Sequence, residues 1–92
     1  MIRSFRSRAL KRFWDNDDPR RLPAVHLNRI RQILQLLETS AVPRDLDVPG
    51  LHFHPLTGNL RDRYAVTVRA NWRITFAWDD VDAIEVDYED YN

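Results

Sequence analysis

Arg73 is the residue of this sequence whose type and setting best suit the binding of an anion. The run NWRITFAW at residues 71–78 places a bulky apolar side chain at every second position, namely Trp72, Ile74, Phe76 and Trp78. This is the period of a strand with one buried face, so Arg73 should project from the other face of a rigid element. Its guanidinium presents a fixed fork of donors suited to phosphate or carboxylate. The alternative is that Arg73 only pairs with an acidic side chain of the neighbouring strand.

Histidines are the other residues that could carry chemistry. His52 and His54 are two positions apart on a predicted strand that ends in a turn near Gly58, which is a weak metal-site pattern. His26 stands at the start of a predicted helix without a partner histidine one turn on, so we expect a surface residue there and not a ligand. The acidic run at residues 15–19 lacks the glycine and distal glutamate of a calcium loop. We therefore expect no metal and no cofactor.

The length and composition indicate one small folded domain. A chain of 92 residues that is 43% apolar can form a single modest core, so we predict one domain over residues 1–92. No apolar run approaches the roughly 18 residues that span a bilayer, and the first residues lack the apolar stretch of a secretory signal. We therefore expect a cytoplasmic protein. The absence of cysteine excludes disulfides, thiol catalysis and a cysteine zinc site.

The zero net charge hides a strong polarity along the sequence. Residues 1–40 carry a net charge of +5, residues 41–78 carry +2, and residues 79–92 carry −7. All but one of the fourteen cations are arginine, and Lys11 is the exception. This bias suits a surface that meets phosphates or a carboxylate-rich partner, and composition alone does not choose between them. The alternative is a solvated face of helical arginines.

Two helices should precede the sheet that carries Arg73. Residues 2–5 could form a short first strand, and Ser7 can cap a first helix that stops at an acidic run followed by proline. A second, amphipathic helix should begin near Pro23, which suits a first-turn position, and should run to about Thr39. Both helices would then offer an apolar stripe to a sheet.

An irregular loop should separate the helices from the strands. It occupies residues 40–50, which contain two prolines and charges that alternate with Leu46 and Val48, and these two apolar side chains should anchor it to the core. A charged turn is predicted at residues 61–63.

The strands should form a meander. Residues 64–70 and 72–78 alternate and should pair as a hairpin, and residues 84–89 should form a last strand after a second turn. Acidic side chains of the last strand can pair with Arg69 and Arg73 across the sheet. The predicted fold is α+β, with two N-terminal helices packed on a mostly antiparallel sheet of about four to five strands.

Four motifs recur in the order and spacing of a known family. They are IRSF at residues 2–5, HPL at residues 54–56 followed by Gly58, NWRITF at residues 71–76, and VDYEDY at residues 86–91. Together they resemble the HigB toxins of the RelE/ParE superfamily over nearly the whole chain. The resemblance implies a RelE-like microbial ribonuclease fold, a type II toxin–antitoxin system, and cleavage of messenger RNA in the decoding site of the ribosome. It also implies a HigA-like antitoxin with a helix-turn-helix domain, through which alone operator DNA would be bound.

The same resemblance assigns roles to individual residues. The family's chemistry is that of a metal-free ribonuclease, in which the 2′-hydroxyl attacks the adjacent phosphorus. His54 resembles an acid/base or phosphate-orienting residue, and Arg73 resembles a phosphate clamp. Asp90 and Tyr91 resemble the pair that orients the scissile nucleotide or its proton transfers. Asn92 occupies the last position of this catalytic set.

Two positions depart from the family's pattern. Many relatives carry lysine at the position of Thr57 and histidine at that of Asn92. Threonine keeps a hydrogen bond but removes a positive charge, and asparagine can orient a group but cannot exchange a proton near neutral pH. Catalysis is therefore expected to be slower, or to depend on His54 and Tyr91 alone.

Basic side chains of the helices should dock the protein on ribosomal RNA. The candidate substrate-binding residues are Thr57, Arg69, Arg8, Lys11, Arg12, Arg29 and Arg31. The competing hypothesis is a non-enzymatic binding toxin on the same fold, either a ParE-like gyrase poison or a catalytically decayed toxin. His54 with Arg73 favours the nuclease, whereas Thr57 with Asn92 favours the alternative.

Overall fold

Four antiparallel strands form one sheet with two α-helices packed on one of its faces. The computed structural model describes residues 1–58 and 62–90. The helices are α1 (Arg8–Asn16) and α2 (Leu27–Thr39), with short 3-10 turns at Ala24–His26 and Pro43–Leu46. The strands, in their order across the sheet, are β1 (His54–Pro55), β2 (Arg63–Arg69), β3 (Trp72–Asp79) and β4 (Asp82–Asp90). This is the α+β architecture predicted from the sequence.

The helix ends follow local chemistry. The Ser7 hydroxyl accepts a hydrogen bond from the Leu10 amide at 3.1 Å, which confirms the predicted cap of α1. Asp17 ends α1 in the left-handed region, with φ 54°. The second helix begins later than predicted, because the residues after Pro23 first make a 3-10 turn in which the His26 amide donates to the Pro23 carbonyl at 3.0 Å.

The core lies between α2 and one face of the sheet. The helix contributes Ile30, Ile33, Leu34 and Leu37, and the strands contribute Val66, Ile74, Phe76 and Val86, all fully buried. The predicted alternation of β3 is thus confirmed, although Trp72 and Trp78 at its ends are only partly buried. Leu46 anchors the loop as predicted, but Val48 is exposed and does not.

Two irregularities interrupt the ladders. In β4 the register shifts after Thr75 pairs with Asp87, and Glu85 adopts φ 51°, so β4 carries a bulge. In β2 the register shifts between Thr67 and Arg69. The two predicted hairpin turns are present, and each places one residue at positive φ, Ala70 in the first and Asp80 in the second.

The first six residues run beside β4. Ile2 and Phe5 form isolated parallel bridges with Ala83 and Val86, so the predicted first strand is present only as single pairings. Their side chains pack against the core. Within the described ranges 1–58 and 62–90, no helix is long and apolar enough to cross a membrane.

Candidate functional site

The face of the sheet opposite the helices carries the candidate site, and we call it the open face. Residues directly opposite each other in an antiparallel pair project to the same side. By register, the open face therefore includes Arg63, Ala65, Thr67, Arg73, Thr75, Ala77, Asp87 and Glu89. Ala65 and Thr75 are fully buried within it. Arg73 projects from this face as its place in the alternation predicts.

Arg73 makes an ion pair with the strand beside it. Its Nη2 lies 3.2 Å from Oε1 of Glu89, directly opposite in β4, and the Arg73 side chain is only 15% exposed. The pairing across the sheet that was the alternative for Arg73 is therefore present in the unliganded protein. An incoming anion would have to share or replace the Glu89 carboxylate.

A chain of hydrogen bonds continues beneath this ion pair. Arg63 Nη2 donates to Thr75 Oγ1 at 2.9 Å, and Thr75 Oγ1 donates to Glu89 Oε2 at 3.0 Å. The direction is fixed, because a guanidinium only donates and a carboxylate only accepts. Each oxygen of Glu89 thus has a different partner, Thr75 on one side and Arg73 on the other. The carboxylate that holds Arg73 is itself held by a buried hydroxyl.

Arg63 was missed by the sequence reasoning, which placed it in a charged turn. It instead begins β2 and is 7% exposed, and its Nη2 also donates to the Glu85 carbonyl at 2.9 Å. Burial, followed by the nearby Arg6, lowers the pKa of the Arg63 guanidinium, and the carboxylates of β4 oppose that shift. Its Nη1 is buried without a hydrogen-bond partner among the described residues. The alternation of Tyr64 and Val66 with smaller residues, extended back by one position, could have placed Arg63 on the open face.

His54 lies at the edge of the same face. It pairs with Ala65 in β1, and its exposed ring contacts the His52 carbonyl through Nδ1 at 2.9 Å. Because a carbonyl only accepts, Nδ1 carries the proton and leaves Nε2 to accept or donate at the open face. His52 adopts φ 51° outside the two-residue strand, so the two histidines do not share one strand face. Among the residues described, no group of three or more metal-ligating side chains lies together.

The sheet geometry sets the distance between His54 and Arg73. His54 pairs with Ala65, which pairs with Thr75, so His54 and Thr75 lie two strands apart. With strands about 4.8 Å apart and a rise of about 3.4 Å per residue, the Cα atoms of His54 and Arg73 are separated by about 12 Å. Both side chains are long enough to reach a phosphodiester placed between them. The face thus combines an anion clamp with a histidine, the residue type that most often serves as a general acid or base.

Other predicted site residues do not join this cluster. Asp90 pairs with Trp72, so it lies in register on the helix side of the sheet, away from Glu89. Thr57 is exposed just beyond β1, on the same edge as His54. Tyr91 and Asn92 lie outside the described residues.

Arg69 also lies on the helix side, and its expected pairing beside Arg73 was wrong. The bulge in β2 sets Arg69 opposite Trp72, whereas Thr67 is opposite Arg73. Alternation counted from the sequence cannot detect such an inserted residue, which reverses the face of every later residue in the strand.

The basic side chains predicted to dock on RNA occupy separate surfaces. Arg8, Lys11 and Arg12 lie together on α1, where Lys11 Nζ contacts Asp15 at 2.5 Å. Arg31 faces α1, since its guanidinium lies 3.1 Å from Asp17 and 4.6 Å from the centre of the Phe13 ring. Arg29 instead faces the end of β2. The five candidates therefore do not form one surface.

His26 is buried, so the predicted surface position was wrong. Its ring is 6% exposed, and Nδ1 lies 2.5 Å from the Tyr88 hydroxyl. Tyr88 in turn stacks on Trp72, with ring centroids 4.8 Å apart. Burial, and secondly Arg69, lowers the pKa of His26, and burial raises the pKa of Tyr88 to about 12. The 3-10 turn before α2, which the sequence pattern did not indicate, directs His26 inward.

Comparison with known proteins adds independent information. The sequence matches a family described as the RelE-like toxin of type II toxin–antitoxin system HigB over residues 3–92. It is 37% identical over 92 residues to Endoribonuclease HigB of Proteus vulgaris, which covers the whole of both chains. It is also 30% identical over 82 residues to Toxin HigB-1 of Vibrio cholerae serotype O1, strain ATCC 39315 / El Tor Inaba N16961, covering 87% of this chain and 86% of that one.

Proposed function

Because the chain belongs to the RelE-like HigB toxins of type II toxin–antitoxin systems, we propose that it is an endoribonuclease that cleaves messenger RNA in the decoding site of the ribosome. An antitoxin partner follows from the family itself. The observation that carries the proposal is the open face, where Glu89 clamps Arg73 and His54 stands two strands away on the same side of the sheet. The name of the Proteus vulgaris relative supports the same activity.

Arg73 would bind the scissile phosphate. A phosphate oxygen can take the place of Glu89 Oε1 at the guanidinium, which then neutralises the charge that develops on the equatorial oxygens. The 2′-hydroxyl oxygen attacks phosphorus, the bond from phosphorus to the 5′-oxygen breaks, and a cyclic phosphate forms. One proton leaves the 2′-hydroxyl and one must reach the 5′-oxygen, and His54 Nε2 can serve one of these transfers.

The remaining roles concern Asp90, Tyr91 and Asn92, which we expect to orient the scissile nucleotide. Thr57 supplies a hydrogen bond but no charge, and Asn92 does not titrate, so the acid/base set is sparse. The ribosome would therefore position the messenger RNA for attack, and such positioning can lower the activation free energy by several kcal/mol. Cleavage should require translation, and equal cutting of naked and translated RNA by the purified protein would rule this out.

The proposal also includes a contact with ribosomal RNA and neutralisation by an antitoxin. Arg8, Lys11 and Arg12 on α1 form one candidate contact with ribosomal RNA, because cationic side chains neutralise backbone phosphates. Arg31, which pairs with Asp17 at the end of α1, belongs to the same candidate contact. The protein would act in the cytoplasm and be neutralised by a HigA-like antitoxin, through which alone it would reach operator DNA.

The decisive experiment is single-turnover cleavage of ribosome-bound messenger RNA. Arg73→Ala should cost on the order of 3 kcal/mol, roughly a hundredfold in rate, because it removes the charge opposite the transition state. Asn92→His should raise the rate, since a positioned acid or base is typically worth 10²-fold or more. Arg44→Ala, which removes an exposed arginine outside the open face, is the matched control and should cleave like the wild type.

Growth arrest scored in parallel separates the nuclease from a binding toxin. A ParE-like or catalytically decayed toxin would remain toxic as Arg73→Ala and would gain nothing from Asn92→His. Toxicity that survives Arg73→Ala, together with no cleavage by the wild type, would exclude the nuclease.

A further inference from the structure

A polar cavity lies on the helix side of the sheet, away from the open face. It has a volume of about 380 Å³ and is formed where the first turns of α2 meet the end of β2. From the helical side it is lined by Val25, His26, Asn28, Arg29 and Gln32, and from the strand by Val68 and Arg69. We call it the Arg29–Arg69 cavity. The sequence predicted Arg29 and Arg69 as separate RNA-binding residues, but it did not predict a cavity that joins them, and the proposed cleavage chemistry does not use it.

The bulge in β2 brings Arg69 to this cavity. Without the shift between Thr67 and Arg69, Arg69 would project from the open face beside Arg73. With it, Arg69 is set opposite Trp72 and lines the same cavity as Arg29. A bulge that turns a long cationic side chain toward a second cation gains nothing for the isolated fold, since like charges repel.

The two guanidiniums have no acidic partner in the described ranges 1–58 and 62–90. Acidic side chains of the β3–β4 turn and of β4 instead pair with Arg3, Arg6 and Arg73. The nearest acidic position in the sheet register is Asp90, two strands from Arg69 and so about 10 Å away. The cavity therefore carries a local positive charge, and the lowered pKa of His26 reports it in part.

We propose that the Arg29–Arg69 cavity binds a phosphate of an RNA backbone. Arginine forks bind phosphate oxygens in a bidentate manner, and the amide groups of Asn28 and Gln32 can donate to a phosphate oxygen or contact a ribose hydroxyl. A docking site for an acidic protein segment would be expected to have an apolar centre, whereas this cavity is lined mainly by polar side chains.

The position of the cavity connects it with the open face, and to that extent the inference rests on the proposed function. Arg69 is the last residue of β2 and Arg73 the second residue of β3, and the two project to opposite sides of the sheet. An RNA strand passing round this end of the hairpin would meet both. The phosphate can come from the messenger RNA or from ribosomal RNA, and both share this chemistry.

The first experiment tests the cavity without any RNA or ribosome. The protein is titrated with inorganic phosphate while NMR follows the side-chain amides of Asn28 and Gln32 and the Nε–H signals of arginine. We expect saturable shifts in the wild type that are lost in Arg69→Met and in Arg29→Met. Arg44→Met removes one exposed arginine elsewhere and should titrate like the wild type. Absence of shifts in the wild type, or equal shifts in Arg69→Met, overturns the proposal.

The second experiment identifies the source of the phosphate. Dissociation constants are measured for ribosomes without messenger RNA and for a short single-stranded RNA, at several salt concentrations. Arg69→Met should weaken binding to one of them on the order of tenfold and lower the salt slope by roughly one, whereas Arg44→Met should do neither. A loss confined to the short RNA assigns the phosphate to the messenger, and a loss confined to ribosomes assigns it to ribosomal RNA.

The outcomes separate this inference from the proposed nuclease. RNA affinity that depends on Arg69 in a protein that never cleaves would leave the cavity standing and reject the nuclease. Normal cleavage and unchanged RNA affinity in Arg69→Met would keep the nuclease and reject RNA binding by the cavity. A loss of affinity for the antitoxin alone would reassign the cavity to a protein partner and overturn the proposal.

Discussion

The position of Arg73 depends on a chain of side chains that begins at Glu89. Glu89 holds the guanidinium, Thr75 holds Glu89, and Arg63 holds Thr75. A long arginine side chain loses much conformational freedom when it is fixed, so a clamp that is already ordered binds an anion at lower cost. In this protein the order comes from a buried hydroxyl in the middle of β3.

Replacement of Thr75 tests this dependence. Thr75→Val keeps the shape but removes both the acceptor for Arg63 and the donor to Glu89, leaving a buried charged group short of a partner. We expect the free energy of unfolding to fall by about 1–3 kcal/mol and single-turnover cleavage to slow on the order of tenfold, because Arg73 is no longer aimed.

Thr75→Ser supplies the hydroxyl again and should recover most of the cleavage rate. Thr39→Val, at the exposed end of α2, makes the same chemical change far from the open face and should leave cleavage unaltered. Urea unfolding and cleavage would be measured on all three proteins. Wild-type cleavage by Thr75→Val would show that Glu89 aims Arg73 without help.

At this scale the sequence predicted Arg73 but not its surroundings. Arg73 stands in a long alternating run, whose burial is decided by simple periodicity. Arg63 was not predicted as a site residue because its two charged neighbours suggested a turn. Arg69 was placed on the wrong face because the sequence does not indicate the bulge before it. The partners of a polar side chain are set by register across strands, which one sequence does not reveal.

Among the elements, the 3-10 turn before α2 forms a polar junction with β4. His26 and Tyr88 meet there by a hydrogen bond, two residues before Asp90. The junction therefore fixes where the strand delivers the residues after Tyr88, which include the predicted orienting group Asp90. Its strength should depend on the protonation of His26.

The pH dependence can be derived from the direction of the shift. The folded-state pKa of His26 lies below its ordinary value of about 6.5, because burial and Arg69 disfavour the charged ring. Between the two values the unfolded chain binds the extra proton and the folded protein does not. This contribution to stability is fully present above about pH 6.5 and is lost as pH falls through that value toward the folded pKa.

Comparison with a variant that does not titrate isolates this group. The free energy of unfolding of the wild type should fall more steeply between pH 7 and pH 5 than that of His26→Gln, with His52 and His54 present in both. The measurement is urea unfolding at closely spaced pH values. Parallel curves for the two proteins would mean that His26 keeps its ordinary pKa in the fold.

Element boundaries were predicted where local chemistry sets them. The Ser7 cap, the two hairpin turns and the apolar stripe of α2 were predicted from residue type and spacing. A strand carrying both His52 and His54 was also predicted, but β1 is only two residues long, leaves His52 outside and exists through its pairing with β2. Short edge strands depend on tertiary contacts and not on their own propensity.

For the whole molecule, the charge polarity of the sequence disappears in space. The basic first residues lie against the acidic β3–β4 turn and β4, where Arg3 pairs with Asp79 and Arg6 pairs with Glu85. Each of these side chains is about half exposed, and exposed ion pairs contribute little to stability. The apolar side chains of Ile2 and Phe5 should therefore attach this segment more strongly than its charges do.

Two substitutions compare these contributions directly. Phe5→Ala should lower the free energy of unfolding by about 2 kcal/mol, because a partly buried aromatic ring returns to water and leaves a gap. Arg6→Gln removes the ion pair with Glu85 and should cost less than about 1 kcal/mol. If the two substitutions lowered the free energy of unfolding equally in urea, the charges would attach residues 1–6 to β4 as strongly as the apolar side chains do.

The contact between residues 1–6 and β4 also determines when the fold can form during synthesis. The Met1 ammonium and Asp82 are 81 positions apart, and Arg3 donates its amide to the Ala83 carbonyl at 2.8 Å. During synthesis the first residues have no partner until β4 has emerged, and contacts this distant in sequence form late. The hydrogen-bond chain that aims Arg73 also ends on Glu85 and Glu89 of β4. A nascent copy would therefore stay inactive until β4 had emerged from its own ribosome and folded.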